Sequence, residues 1–143
     1  MDQIELSKKI EEILYPLLKG LGYEYLGVED ISTQAIPKWL KGTFRNSSAA
    51  RTVEVGYIPR GVGPSEVLKC HIADLNFKPD DFDYTSTNQI SVPTQKISEL
   101  HKDLDDRVCI ILGEIAAELK ENFNEVLSGE VFETEHIDWQ GLK

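Results

Sequence analysis

Five side chains of this 143-residue sequence have the chemistry of nucleophiles or metal ligands: Cys70, Cys109, His71, His101 and His136. A metal centre needs such groups clustered at short spacings, and these are scattered. Cys70 and His71 adjoin, but neighbouring residues of a strand project to opposite faces and cannot share a ligand. A nucleophilic cysteine needs a base beside it. His101 falls about two helical turns ahead of Cys109, and His71 is aimed away from Cys70. Both cysteines lie in apolar-patterned segments, where a free thiol packs as a small hydrophobe and stays reduced. Glu114 and Glu118 are paired carboxylates, yet acid–base work requires a pocket that separates their pKa values. On an exposed helix face both remain ionised. The Gly-rich stretch Arg60-Gly-Val-Gly-Pro lacks the Lys-Ser/Thr of a phosphate loop and precedes a strand, so it reads as a hairpin turn. The sequence thus predicts no catalytic residue, no metal and no cofactor.

Charge is more informative than nucleophiles. The formal net charge is −10; residues 1–79 hold ten acids against ten Lys and Arg, whereas residues 80–143 hold fifteen against five. A nucleic-acid binder rests on basic side chains that neutralise phosphates, so the charge balance argues against that class and predicts no nucleic-acid partner. Stepping 100° per residue along the C-terminal helical segment brings Glu114, Glu118, Glu121 and Glu125 into one stripe opposite the apolar face. Ile110 falls beside this stripe, near Asp103 and Asp106. An exposed isoleucine among acids is the pattern of a protein-contact site, and these five residues are the candidate partner-binding set. A solvated helix face is the plainer explanation, because like charges at this spacing cost only about 0.2–0.5 kcal/mol per pair. A second surface has Lys41, Thr43, Arg45, Lys69 and His71 sharing the open side of a sheet with Trp39.

The elements that must carry these residues follow from periodicity. Ile10, Ile13, Leu14, Leu17, Leu18 and Leu21 recur at spacings of three and four, predicting a helix over 3–19. Pro16 predicts a kink or early stop, and Gly20 and Gly22 end the helix. Extended segments follow at 23–31, 39–45, 51–58 and 67–75, the last two alternating apolar with polar residues. Their short connectors predict a four-stranded antiparallel meander covered on one side. Residues 76–93 read as an ordered loop with a candidate strand at 89–92. Thr94 caps a short helix carrying Ile97 and Leu100. A long helix then spans 103–127, with Leu104, Val108, Ile111, Leu112, Ile115, Leu119, Phe123 and Val126 on one face. Asp103, Asp105 and Asp106 suit its N-terminus. The predicted fold is a single α+β domain of residues 1–143: an N-terminal helix, the four-stranded sheet, then a short and a long helix packed on one sheet face. The tail after Gly129 keeps five large apolar residues, which fold back or close an interface.

The stretch ILYPLLKGLGYEYLGVED, residues 13–30, resembles the opening helix and strand of the bacterial ribosome maturation factor of the small subunit. That family's later Ser-Ser-Pro-Gly segment and second barrel domain have no counterpart here. In layout and charge the chain resembles small acidic immunity proteins of bacterial toxin systems, which implies a noncatalytic inhibitor binding a basic partner such as a toxin domain. Acidic secretion or assembly chaperones share the size and the helix–sheet mixture. A small enzyme is the third reading, and it forecasts a concave pocket holding titratable groups with displaced pKa values. No signal-peptide pattern and no long apolar run occur, which predicts a cytoplasmic protein with no membrane partner. A homodimer through the tail or the uncovered sheet face remains open.

Overall fold

The computed structural model describes residues 2–59, 67–75, 89–94 and 104–130. Helix α1 (Gln3–Gly20) begins where the Asp2 carboxylate accepts the Glu5 N–H at 2.8 Å, a side-chain cap of an otherwise unpaired donor. It continues through Pro16 without the early stop expected at that residue. It ends where the Gly22 and Tyr23 N–H groups return to the Lys19 and Leu18 carbonyls, with Gly22 at φ +96°. This is a Schellman turn, and it sends the chain directly into the first strand.

Five strands follow, not four: β1 (Glu24–Asp30), β2 (Leu40–Asn46), β3 (Arg51–Ile58), β4 (Val67–Asp74) and β5 (Gln89–Val92). They hydrogen-bond in chain order, each antiparallel to the next. The fifth strand is the segment expected only as a candidate within a loop. Its Ile90 and Val92 are buried and paired with Ile72 and Cys70, which a four-residue run could not announce without its partner strand. Alternation is clear in β2 and β3 and in the first part of β4. Val53, Val55, Tyr57, Leu68, Cys70 and Ile72 are buried on the inner face, while Thr52, Glu54, Gly56, Lys69 and His71 form the outer rows.

Helix α2 (Leu104–Asn122) returns to the same inner face as α1. α1 packs on β1 and β2, α2 on β4 and β5, and the two helices pack against each other. Leu6, Ile10, Leu14 and Leu18 of α1 meet the core formed by Val108, Ile111, Leu112, Ile115 and Leu119 of α2. Burying each such side chain contributes about 1.5–3 kcal/mol. An aromatic group seals the β1 end, with Tyr25 and Phe44 ring centres 4.7 Å apart and Tyr15 beside both. Edge strand β1 is irregular at Tyr25/Gly27, and its Val28 carbonyl accepts from Gln3 Nε2 at 2.7 Å. A bulge and a satisfied carbonyl make poor templates for a further strand.

The long C-terminal helix expected over 103–127 is two helices. α2 stops at Asn122, Phe123 leaves helical geometry at φ −122° and ψ 14°, and a separate helix α3 (Asn124–Ser128) follows. Tertiary bonds account for the break. Arg51 Nε donates to the Val126 carbonyl at 3.0 Å and the Tyr23 hydroxyl to the Leu127 carbonyl at 2.7 Å. Phe123, Val126 and Leu127 are all fully buried. A second Schellman turn closes α3, with Gly129 at φ +89° and the Glu130 N–H on the Glu125 carbonyl. The expected short helix after Thr94, the turn at 60–66 and the tail from 131 lie outside the described residues.

Gly129→Ala adds a Cβ about 2.7 Å from the Ala49 carbonyl oxygen at a left-handed position. Urea unfolding is expected to show a loss of roughly 1–3 kcal/mol. Burial pushes the Tyr23 hydroxyl far above its ordinary value of 10.0. Above about pH 10 the unfolded chain releases this proton and the folded chain keeps it, so stability falls as pH rises. Cys70, raised by burial from 9.0, adds the same sign. In Tyr23→Phe the alkaline slope of unfolding free energy is expected to be shallower than in the parent.

Candidate functional site

Two outward surfaces have a shape that could bind. The first is the exposed side of α2. Ile110 is 37% exposed, a large apolar side chain left outside a helix whose other face is buried. Glu114 and Glu118 are half-buried one and two turns further on, and Glu121 is exposed. Glu114, Ala117 and Glu118 line one wall of a shallow groove of about 450 Å³ whose other wall is Pro93 and Thr94, at the exit of β5. The Thr94 hydroxyl donates to the Leu68 carbonyl at 3.4 Å, which holds that wall against β4.

The expected stripe is shorter than four glutamates. Because the chain turns at Phe123, Glu125 stands in the first turn of α3 and not on the surface of α2. Glu118 is also engaged, accepting from Asn122 Nδ2 at 2.8 Å. Ile110, Glu114, Glu118 and Glu121 remain together, and none of these glutamates forms an ion pair among the described residues. The side chains of Asp103 and Asp106 lie outside the described set.

The second surface is the outer face of the sheet. Lys41, Lys69, His71 and Trp39, grouped from the sequence by strand parity, line one concavity of about 520 Å³ together with Ile31, Glu54, Gly56 and Ile58. Thr43 belongs instead to an adjoining groove beneath Leu26 and Glu29, and Arg45 lines neither. Trp39 is fixed through its backbone: its N–H donates to Ser32 Oγ at 3.1 Å, and its carbonyl accepts the Ile31 N–H at 2.8 Å. Ser32 is held in turn by the Asp30 carboxylate. The indole lies over β3, where a Cβ on Gly56 would sit 3.5 Å from its Nε1. Glu54, Gly56 and Ile58 share this face because they alternate with the buried Val53, Val55 and Tyr57. Ile31 arrives through the loop bond to Trp39, which no periodicity encodes.

Electrostatics within the concavity are uneven. Lys41 is balanced by Glu54 at 3.1 Å and Glu29 at 3.8 Å. Lys69 is exposed and forms no ion pair with a described residue. Burial, with the Lys69 charge adding to it, lowers the His71 pKa below 6.5, so the imidazole is neutral at pH 7. Its Nδ1 lies 3.3 Å from the Ser91 hydroxyl. Cys70 points the other way into the core, where burial raises its pKa and keeps it a thiol. Cys109 is half-buried and also unbridged. Among the described residues no three His, Cys, Asp or Glu side chains gather as a metal site, and no helix is long and apolar enough to cross a membrane.

The chain matches no family model, no curated protein and no solved structure.

His71 is expected to titrate below 6.5 when its ring carbons are followed by NMR, and to move upward in Lys69→Met, which removes the neighbouring cation.

Proposed function

We propose that the chain is a noncatalytic binding protein of the immunity type, meeting a basic protein partner such as a toxin domain through the exposed face of α2. The observation that supports this reading is an exposed Ile110 in line with Glu114, Glu118 and Glu121, beside a shallow groove and without a described basic counterpart. In such a surface the acids steer encounter with a basic patch, while the isoleucine and the groove set the lifetime of the complex. An acidic chaperone would use the same face on a client that is not folded, so the folded state of the captured partner separates the two.

A small enzyme on the open sheet face is the second reading. One observation favours it: the Trp39 concavity holds a histidine whose pKa is displaced by burial. It places the working site on the opposite side of the sheet from α2.

The α2 reading is tested with a partner captured from the native cell and then purified. Replacing Ile110 by Ala and Glu114, Glu118 and Glu121 by Lys is expected to slow association about tenfold or more at low salt and to flatten its salt dependence. Unchanged affinity and salt slope in that variant would remove α2 as the binding surface.

A further inference from the structure

The concavity on the outer sheet face is a second built feature, independent of α2. At about 520 Å³ it falls within the usual range for small-ligand sites. Its apolar side is the Trp39 indole with Ile31 and Ile58; the Trp39 backbone is held by bonds to Ser32 and Ile31, and the indole lies over Gly56. A half-buried indole resting on β3 is a stacking platform for a planar ligand. Opposite it stand Lys69 and His71 of β4. Lys41 already has two acids within ion-pair distance, whereas Lys69 has none among the described residues. Of Lys41, Glu54 and Lys69, which line the concavity, Lys69 is the one that forms no ion pair with a described residue, and it lies next to an imidazole with one nitrogen engaged by Ser91.

We propose that this concavity binds a small aromatic carboxylate, its ring against Trp39 and its carboxylate against Lys69 and His71. The ligand class follows from the arrangement: a flat apolar wall selects a planar body, and an exposed lysine with no acid in ion-pair distance among the described residues selects a single negative group. A dication or polyamine is disfavoured, because Glu54 is already held by Lys41. The ligand meets Lys69 at the rim, where the charge is solvated, and the indole at the wall, so stacking provides most of the affinity.

The test uses the full chain labelled with ¹⁵N, with 1-naphthoate as the probe and 1-naphthamide as its uncharged counterpart. Trp39 and Trp139 indole signals are separated by Trp139→Phe. Naphthoate is expected to shift the Trp39 indole N–H and the Lys69 and His71 amides in a saturable way. Trp39→Leu should weaken binding about fivefold. Lys69→Met should weaken naphthoate about threefold and leave naphthamide unchanged, as removal of a rim charge requires. Because Trp39 also packs on β3, Lys69→Met on the exposed rim keeps the test valid if Trp39→Leu unfolds the chain. The α2 variant should bind naphthoate as the parent does, so failure of the partner-binding reading leaves this one standing. Equal affinity for naphthoate and naphthamide, shifts outside the concavity, or no saturable shift at all would each overturn the proposal.

Discussion

The carbonyls at the C-terminal ends of two helices must be satisfied at one place, and the β2–β3 hairpin satisfies them. Buried Asn46 donates to the Leu21 carbonyl at the end of α1 and accepts the Ala49 N–H of its own turn. Arg51, five residues along and 5% exposed, donates to the Val126 carbonyl of α3, to Ala50 and to Asp74. Tyr23 takes the Leu127 carbonyl. Helix ends buried without such partners are costly, because each orphan carbonyl loses water and gains nothing. A charged guanidinium beside the last carbonyls of α3 also opposes the negative end of the helix, and Asp74 balances that charge at 3.5 Å. The first helix, the last helix and the tip of the sheet are thus fastened by three side chains.

Among the described residues, that fastening leaves the other side of the sheet uncovered. α1 lies on β1 and β2 and α2 on β4 and β5, both on the inner face. An antiparallel sheet tolerates one open face when its outer rows are polar, as Thr52, Glu54 and Lys69 are here. Trp39, Ile31 and Ile58 depart from that rule and gather at one end of the face. Apolar groups concentrated on a polar sheet face, beside a lysine that forms no ion pair with a described residue, are what separates the concavity from ordinary solvated surface.

The two surfaces differ in the kind of complementarity they offer. The α2 face is acidic and edged by a shallow groove, suited to a protein with a basic patch. The sheet concavity has an aromatic wall and an exposed lysine that forms no ion pair with a described residue, suited to a small molecule. They lie on opposite sides of the sheet and share no residue, so one can be altered without direct effect on the other.

Local pattern determined most of the elements. The spacing of Ile10, Leu14 and Leu18 specified the inner face of α1, the alternation of 51–58 specified β3 from end to end, and Gly22 specified where α1 stops. The same parity grouped Lys41, Lys69 and His71 on one side, because a strand has a period of two residues. Three features needed the tertiary structure. β5 is too short to be recognised apart from the β4 residues that pair with it. The break at Phe123 is invisible to helical periodicity, which runs unbroken to Val126, because Arg51 and Tyr23 draw the α3 carbonyls aside from 75 and 104 residues away. The removal of Glu125 from the acidic stripe and the seating of Trp39 beside Gly56 have the same cause: both depend on bonds between segments distant in sequence, and periodicity reports only on neighbours.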